Sequence, residues 1–177
     1  MAAIVYFSRP FQNLIDGKKD FLQVGNTKIV AQKIAEILDV EVLELIPKIA
    51  YPKSYQAVVT QAEKEKRTKK RPKYQSFSLN LEEHTTIYLG YPNWWGTFPM
   101  IVASFLEEND LSKKHIYPFC THEGGGMGNS INDLQKLCSD STIHMGLPIC
   151  GSRVEKADIA IINWLQQNNQ TISALEE

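Results

Sequence analysis

Strand-like and helix-like segments alternate along almost the whole of this 177-residue chain. Five short apolar or alternating runs have the pattern of β-strands: Ala3–Phe7, Val40–Ile46, Thr86–Gly90, Ile116–Cys120 and Ile143–Cys150. Five segments carry apolar residues at helical spacing: Ile29–Leu38, Tyr55–Ala62, Phe98–Leu106, Ile131–Cys138 and Ala157–Leu165. Strands that alternate with helices form a parallel sheet with right-handed crossovers and helices on both faces. The alternation therefore predicts a doubly wound α/β fold with a five-stranded parallel sheet, in a single domain that spans residues 1–177.

The composition excludes several classes of protein. With 43% hydrophobic and 22% charged residues the chain can bury a sizeable core, and its formal net charge of −1 gives it no overall attraction for nucleic acid or an anionic membrane. The longest apolar runs, such as Ile159–Ile162, are far shorter than the roughly 20 residues that span a bilayer. No signal peptide is visible, and three cysteines without a CxxC pair argue against a disulfide framework. We therefore expect a cytoplasmic protein that binds neither nucleic acid nor membrane.

Three features depart from the regular alternation. The segment Arg9–Val24 inserts 16 residues between the first strand and its helix, where about two to six are usual, and it is either a functional loop or a solvated excursion. The segment Glu63–Arg71 contains six basic residues in nine positions, which is typical of a solvated helix end but also suits docking of an acidic partner or an anionic ligand. Pro118 lies inside a central strand, where proline removes a ladder hydrogen bond, so we expect a β-bulge there.

The region after the first strand has the residues of an anion-binding helix start. In an open parallel sheet, ligands bind beyond the carboxyl ends of the strands. Ser8 and Arg9 follow the first strand, and Gly25, Asn26 and Thr27 open the first helix. The free N–H groups of a helix start point toward an anion, and Thr27 and Ser8 would add hydroxyl donors. The pattern predicts a phosphate site, unless Asn26 or Thr27 merely caps the helix.

Two adjacent tryptophans mark the loop Pro92–Gly96, which follows the third strand. Consecutive side chains diverge, so both tryptophans cannot point into the core, and an exposed tryptophan offers a flat apolar face to a planar ligand. We expect Trp95 to lie against such a ligand, because Gly96 follows it directly, and we expect Trp94 to pack beneath the loop. The alternative places one tryptophan in the core and the other on a neighbouring helix.

Glycines dominate the loop after the fourth strand, which begins with Thr121, His122 and Glu123 and continues with Gly124 and Gly125. Glycine allows backbone N–H and C=O groups to approach a ligand closely, although a flexible turn has the same composition. His122 belongs to no cluster of histidines, cysteines and carboxylates at ligand spacing, so we expect no metal site. The chain contains no P-loop, dinucleotide-binding or nucleophile-elbow motif, which argues against nucleotidase, Rossmann dehydrogenase and serine hydrolase functions.

Taken together, these three loops resemble those of the flavodoxins, and most closely those of flavodoxin-like proteins whose first loop is expanded. The resemblance covers the chain from Ile4 to about Leu165 and implies a strand order of 2-1-3-4-5 and one non-covalently bound FMN. It implies that the phosphate is held by Ser8, Arg9, Gly25, Asn26 and Thr27. It also implies that the isoalloxazine ring lies between two loops: Pro92, Asn93, Trp94, Trp95 and Gly96 on one side, and Thr121, His122, Glu123, Gly124 and Gly125 on the other.

Three functions fit this resemblance. The first is an FMN-binding redox protein that transfers electrons between a reductase and an acceptor, which is either a partner protein or a small molecule. FMN itself supplies the chemistry in such a protein, so no catalytic residue is required. The second is an NAD(P)H-dependent reductase of quinones or nitro compounds on the same fold, and the third is a binding module without flavin. Electron-carrier flavodoxins are typically strongly acidic, whereas this chain is not. The sequence leaves the oligomeric state open.

Overall fold

A computed structural model describes residues 1–176 of the chain, with side chains through residue 168. The strands are β1 (Ala2–Tyr6), β2 (Phe11–Ile15), β3 (Lys18–Leu22), β4 (Glu41–Glu44), β5 (Thr86–Pro92), β6 (His115–His122), β7 (Thr142–Ile143) and β8 (Leu147–Cys150). The α-helices are α1 (Asn26–Leu38), α2 (Tyr55–Arg67), α3 (Met100–Glu108), α4 (Ser130–Leu137) and α5 (Asp158–Glu176). Short 3-10 helices cover Leu81–Glu83 and Gly151–Lys156. None of the described helices is long and apolar enough to cross a bilayer.

Six of the strands form one parallel sheet in the order β4-β1-β5-β6, with β7 and β8 paired in succession along the outer side of β6. This is the order 2-1-3-4-5 when β7 and β8 are counted as the one predicted fifth strand, so the predicted fold class is confirmed. The strand order reverses between β1 and β5, because the chain leaves β1 for β4 and then crosses back to β5. The crevice beyond the carboxyl ends of β1 and β5 is therefore the place where a ligand is expected.

Alternate residues of the central strands face two separate apolar cores. Ala3 and Val5 of β1 pack in the core that is covered by α2, α3 and α4, whereas Ile4 and Tyr6 pack in the core that is covered by α1 and α5. This two-residue alternation is the side-chain period of a β-strand, so a strand buried on both faces is apolar throughout. The two cores hold the strands rigidly and fix where their carboxyl ends lie.

The insertion between the first strand and its helix is a β-hairpin, which corrects the expectation of a loop. Strands β2 and β3 are antiparallel, with Phe11 opposite Leu22 and Ile15 opposite Lys18. Asp16 and Gly17 form the turn with φ of +49° and +74°. A two-residue turn with positive φ at both positions matches the twist of a hairpin, and Asp-Gly is among its preferred sequences. The hairpin is a two-stranded sheet of its own, separate from the main sheet.

Strand β6 runs straight through Pro118, so the expected β-bulge is wrong. The amide of His115 donates to the Thr85 carbonyl on the β5 side, whereas the Ile116 carbonyl accepts from the His144 amide on the opposite side. Because successive residues of a strand direct their N–H groups to alternate sides, the nitrogen at position 118 points away from β5. It falls between the β7 and β8 pairings, so proline removes no ladder hydrogen bond there.

Candidate functional site

A pocket of about 400 Å³ opens at the carboxyl edge of the sheet. Twelve of the fifteen residues predicted for the site line it: Ser8, Arg9, Asn26, Thr27, Pro92, Asn93, Trp94, Trp95, Thr121, His122, Glu123 and Gly125. The other three, Gly25, Gly96 and Gly124, lie in the same loops but do not line the pocket. Seven further lining residues are not predictable from the sequence patterns: Asn13, Leu14, Tyr55, Val58, Val59, Ala62 and Gly151. These come from the hairpin, from α2 and from the turn after β8.

One end of the pocket is the amino terminus of α1. The N–H groups of Asn26 and Thr27 have no partner within the helix, and they donate to no other group in the described part of the chain. Gly25 precedes them with an extended backbone, and a Cβ at this position would lie 2.2 Å from Ser8 Oγ and 2.8 Å from the Arg9 carbonyl oxygen. Ser8 Oγ in turn accepts a hydrogen bond from the Lys28 amide at 3.0 Å. The glycine therefore allows β1 and the helix start to approach closely and to present free amides to the pocket.

Two buried hydroxyls join this helix start to the loop after β6. Thr27 Oγ1 lies 2.8 Å from Thr121 Oγ1, and the two residues are only 1% and 5% exposed. The bond between the two hydroxyls uses one of their two hydrogens. The other hydrogen is left to donate to an acceptor in the pocket.

Arg9 is a buried cation beside the pocket, and its guanidinium is held by backbone carbonyls. It donates to Gln12, Pro52 and Lys53 at 2.6–3.1 Å, which ties the start of the hairpin to the segment that leads into α2. No carboxylate in the described residues lies within ion-pair distance of it. Burial lowers the pKa of Arg9 to about 10, so it remains charged at neutral pH. The structure thus gives Arg9 a positioning role together with an uncompensated positive charge.

The two tryptophans diverge as expected from their adjacency. The ring of Trp94 packs edge-on against Phe7 and Tyr51, with ring centroids 5.4 and 5.0 Å apart, and it joins the core beneath the loop. The ring of Trp95 is 51% exposed, and its Nε1 donates to the carbonyl of Val59 on α2 at 2.9 Å. Trp95 has a φ of +56°, a conformation that few residues other than glycine adopt. Both rings reach the pocket, and which of them contacts a ligand stays a prediction.

Asn93 connects the tryptophan loop to the glycine loop. Its Nδ2 donates to the Gly126 carbonyl and its Oδ1 accepts from the Gly96 amide, both at 2.9 Å. Its own amide donates to the Thr121 carbonyl at 2.8 Å. The amides of Gly125 and Gly126 donate to no described residue, so these two N–H groups are available to a ligand, whereas that of Gly96 is occupied.

His122 stabilises the turn of the glycine loop. Its Nδ1 accepts a hydrogen bond from the Gly124 amide at 3.0 Å, which requires Nδ1 to be unprotonated. Burial lowers the pKa of His122, although the neighbouring Glu123 carboxylate acts in the opposite direction. The imidazole is therefore neutral at pH 7, and it fixes the turn at Gly124, whose φ is +106°.

The burial of the neutral His122 ring should make the stability of the protein fall in mild acid. The folded-state pKa of His122 lies below its unfolded value of about 6.5, so the unfolded chain gains the proton first as the pH falls. The contribution of neutral His122 to the free energy of unfolding is fully present above about pH 6.5. It is lost as the pH falls through the lower folded-state pKa of this residue. Denaturant unfolding at pH 7.5 and pH 5 measures it, and His122→Asn, which can accept the same bond without titrating, should show a smaller difference. An equal difference in both proteins would contradict this assignment.

Glu123 attaches the hairpin to the far side of the pocket. Its Oε2 accepts from the Asp16 amide at the hairpin turn at 3.0 Å, and its Oε1 accepts from the Ser152 amide at 3.1 Å. The other side of the hairpin is tied to α2, because Gln12 Oε1 accepts from the Tyr55 amide at 2.9 Å. The hairpin therefore crosses the pocket as a strap. One carboxylate oxygen of Glu123 is thus committed to the strap and the other to Ser152. The ligand contact predicted for this residue stays a prediction.

Comparison with known proteins places this geometry in a family context. A family model for flavodoxin matches residues 19–168 of the chain. A provisionally assigned flavoprotein from Bacteroides uniformis is 26% identical, with 90% of this chain and 96% of that chain covered and a TM-score of 0.72. A flavoprotein from Lactobacillus acidophilus in complex with FMN is 20% identical over 88% of this chain and 96% of that chain, with a TM-score of 0.66. Flavodoxin 2 from Bacillus cereus is 16% identical over 94% and 99%, with a TM-score of 0.50. Among curated proteins none matches the chain.

Proposed function

This chain belongs to the flavodoxin family, and we propose that it binds one FMN non-covalently and transfers electrons between a reductase and an acceptor. One observation carries the proposal. A single pocket combines a helix amino terminus with free amides, an aromatic wall and the unpaired amide of Gly125. These are the three kinds of contact that a phosphate, a planar ring and the polar edge of that ring require.

The helix start fits the dianionic phosphate of FMN. The free amides of Asn26 and Thr27 and the positive end of α1 favour an anion there. Ser8 and the Thr27–Thr121 pair each retain a hydroxyl hydrogen that can be donated to a phosphate oxygen. The buried charge of Arg9 has no carboxylate partner in the described chain, so a bound anion would compensate it.

The ring of FMN fits between the tryptophan loop and the glycine loop. Trp94 and Trp95 give an apolar wall, and the amide of Gly125 is free to donate to the polar edge of a ring. Bound FMN supplies the redox chemistry, and the protein orients it and tunes it through stacking and hydrogen bonds. The flavoprotein of the same fold that was solved with FMN supports FMN as the cofactor.

The absorption spectrum of the purified protein tests the proposal directly. We expect a yellow protein, or a colourless one that takes up one equivalent of FMN and binds riboflavin much more weakly. A protein that stays colourless with excess FMN would instead be a binding module without flavin. Addition of NADH or NADPH in the absence of air separates the remaining two functions, because rapid bleaching without a separate reductase would identify an NAD(P)H-dependent enzyme.

The strap should control how fast FMN leaves. Glu123→Gln replaces one carboxylate oxygen by an amide that cannot accept from the Asp16 or Ser152 amide. A hydrogen bond to a charged group contributes roughly 1.5–3 kcal/mol. Because only part of this energy holds the strap over the pocket, we expect FMN to dissociate about tenfold faster from the variant. Flavin fluorescence after dilution of the complex measures the rate.

Asp20→Asn is the matched control for this experiment. Asp20 lies on the same hairpin and undergoes the same change from carboxylate to amide, but its side chain accepts only from its neighbour Phe21. We expect its FMN dissociation rate to equal that of the unmodified protein. Equal rates for the Glu123 and Asp20 variants would show that the strap does not retain the cofactor.

A further inference from the structure

The positive charge of the molecule is concentrated near the carboxyl end of α2. The segment Glu63–Arg71 has six basic and two acidic residues, whereas the rest of the chain has 13 basic and 18 acidic residues. Arg67 pairs with Glu63, and Arg71 pairs with Glu107 outside the segment. Four exposed lysines remain without a carboxylate at ion-pair distance in the described chain: Lys64, Lys66, Lys69 and Lys70. We call these four residues the basic surface.

The remaining carboxylate of the segment does not neutralise this surface from the solvent side. Glu65 is only 2% exposed, and its oxygens accept from Tyr51 and Gln61. It therefore points into the protein, while the four lysines point out. The basic surface is thus a local excess of positive charge on an otherwise acidic molecule, and such an asymmetry orients a charged partner before contact.

The basic surface begins at the rim of the pocket. Val59 and Ala62 of α2 line the pocket, and Lys66 follows them by seven and four residues, so it continues the same helical face. Its Nζ donates to the carbonyl of Trp95 at 2.5 Å. Trp95 is the half-exposed wall of the pocket. The positive charge and the aromatic edge of the proposed flavin site are therefore one continuous surface.

We propose that the basic surface together with Trp95 docks an acidic redox partner protein, which exchanges electrons with the flavin at this edge. The proposal rests on the proposed function and adds the class of partner and the place where it binds. An exposed tryptophan next to exposed lysines is typical of a protein interface, in which an aromatic anchor is buried and the charged rim speeds association. None of the four lysines lines the pocket, whereas a small phosphorylated ligand is bound in a concave site through bidentate contacts.

The reaction rates of two small redox ions of opposite charge report the sign of the electrostatic potential at the flavin edge. The FMN-loaded protein is photoreduced without air, with EDTA as the electron donor that is oxidised, and is then mixed in the dark with ferricyanide, a trivalent anion, or with hexaammineruthenium(III), a trivalent cation. Each reduced flavin gives up two electrons, which reduce two metal ions by one electron each, and its protons go to the buffer. We expect the rate with ferricyanide to be highest in low salt and to fall by roughly tenfold in 0.5 M salt, where the Debye length is a few ångströms. The rate with the ruthenium cation should instead rise with salt.

Lysine-to-glutamate substitutions show which part of the surface causes the salt dependence of the ferricyanide rate. Lys69→Glu with Lys70→Glu should remove most of the salt dependence of the ferricyanide rate and leave FMN affinity unchanged, since neither residue lines the pocket. Lys113→Glu with Lys136→Glu is the matched control, because both lysines are exposed and Lys113 shares the positive φ of Lys69 (61° and 52°). Lys113 precedes β6, at the opposite end of the sheet from the pocket. We expect the control pair to behave like the unmodified protein.

Binding without turnover provides the second readout. The oxidised, isotope-labelled protein is titrated with an oxidised acidic ferredoxin and separately with cytochrome c, which is strongly basic. We expect shifts of the Trp95 indole and of the amides around Lys66–Lys70 with the ferredoxin, lost in the Lys69/Lys70 variant, and none with cytochrome c. Preference for cytochrome c, no binding of the ferredoxin, or an equal effect of both variant pairs would overturn the docking proposal. A protein that fails to bind FMN would instead overturn the proposed function, and the titration with the ferredoxin would still report on the surface.

Discussion

Replacing Thr27 with valine should weaken FMN binding by about ten- to a hundred-fold and change riboflavin binding little. The hydroxyl of Thr27 is buried at the start of α1, where it is paired with Thr121 and retains, with that partner, one hydrogen for the ligand. A hydrogen bond to a charged group contributes roughly 1.5–3 kcal/mol, which gives the expected loss of affinity. Riboflavin has the same ring and ribityl chain without the phosphate, so the comparison isolates the phosphate contact.

Thr27→Ser is the control for the Thr27 variant, because it keeps the hydroxyl and removes only a methyl group. We expect it to bind FMN with nearly the original affinity. Urea unfolding of both apoproteins separates a loss of binding from a loss of fold, which matters because valine leaves Thr121 without its partner. If Thr27→Val weakened FMN and riboflavin equally, Thr27 would have no role at the phosphate.

The fold was predictable because the positions that are buried in strands and helices recur at regular spacing and carry apolar residues. Central strands that are covered on both faces must be apolar throughout, and helices that cover them carry one apolar stripe, so their alternation specifies a parallel sheet. The split of the fifth strand was not visible, since β7 has only two residues and two residues show no period. The hairpin was missed although Asp16-Gly17 is a favoured turn, because β3 is mostly exposed and does not alternate between apolar and polar residues.

The site was predictable as far as it follows from topology. Parallel strands end at one edge of the sheet, so the loops after β1, β5 and β6 had to meet, and they line one pocket. The contribution of α2 was hidden, because Val58 and Ala62 have the same helical spacing whether they face a core or a pocket wall. Only the three-dimensional structure shows that one stripe of this helix faces both the core and the pocket.

The partners of charged side chains were beyond the reach of the sequence. The sequence predicts Arg9 at the phosphate but does not show that its guanidinium is bonded to carbonyls of Pro52 and Lys53, more than 40 positions away in the chain. The sequence predicts Glu123 beside the ring but does not show that this side chain holds the Asp16 amide across 107 positions. Spacing in sequence predicts contacts within one helix or hairpin, whereas these contacts depend on how the hairpin folds over the sheet.

Replacement of the two tryptophans should produce opposite results. Trp94→Ala removes a ring that packs against Phe7 and Tyr51, so we expect it to lower the free energy of unfolding by about 3 kcal/mol, the low end for a large aromatic residue because Trp94 is only partly buried. Trp95→Ala should change stability little, because its ring is 51% exposed. It should instead weaken FMN binding by up to about tenfold, since a stacking contact contributes roughly 0.5–1.5 kcal/mol beyond area burial.

Flavin fluorescence distinguishes the two roles independently of affinity. A tryptophan that stacks on the ring quenches its emission, so FMN that stays bound to Trp95→Ala should be brighter than FMN bound to the unmodified protein. Trp95→Phe keeps an aromatic face and loses only the bond from Nε1 to the Val59 carbonyl, so we expect it to retain much of the affinity. If Trp94→Ala alone brightened the flavin, the ring would lie on the inner tryptophan. If neither variant changed affinity or emission, the tryptophan loop would be structural, because a wall that contacts the cofactor must affect at least one of the two.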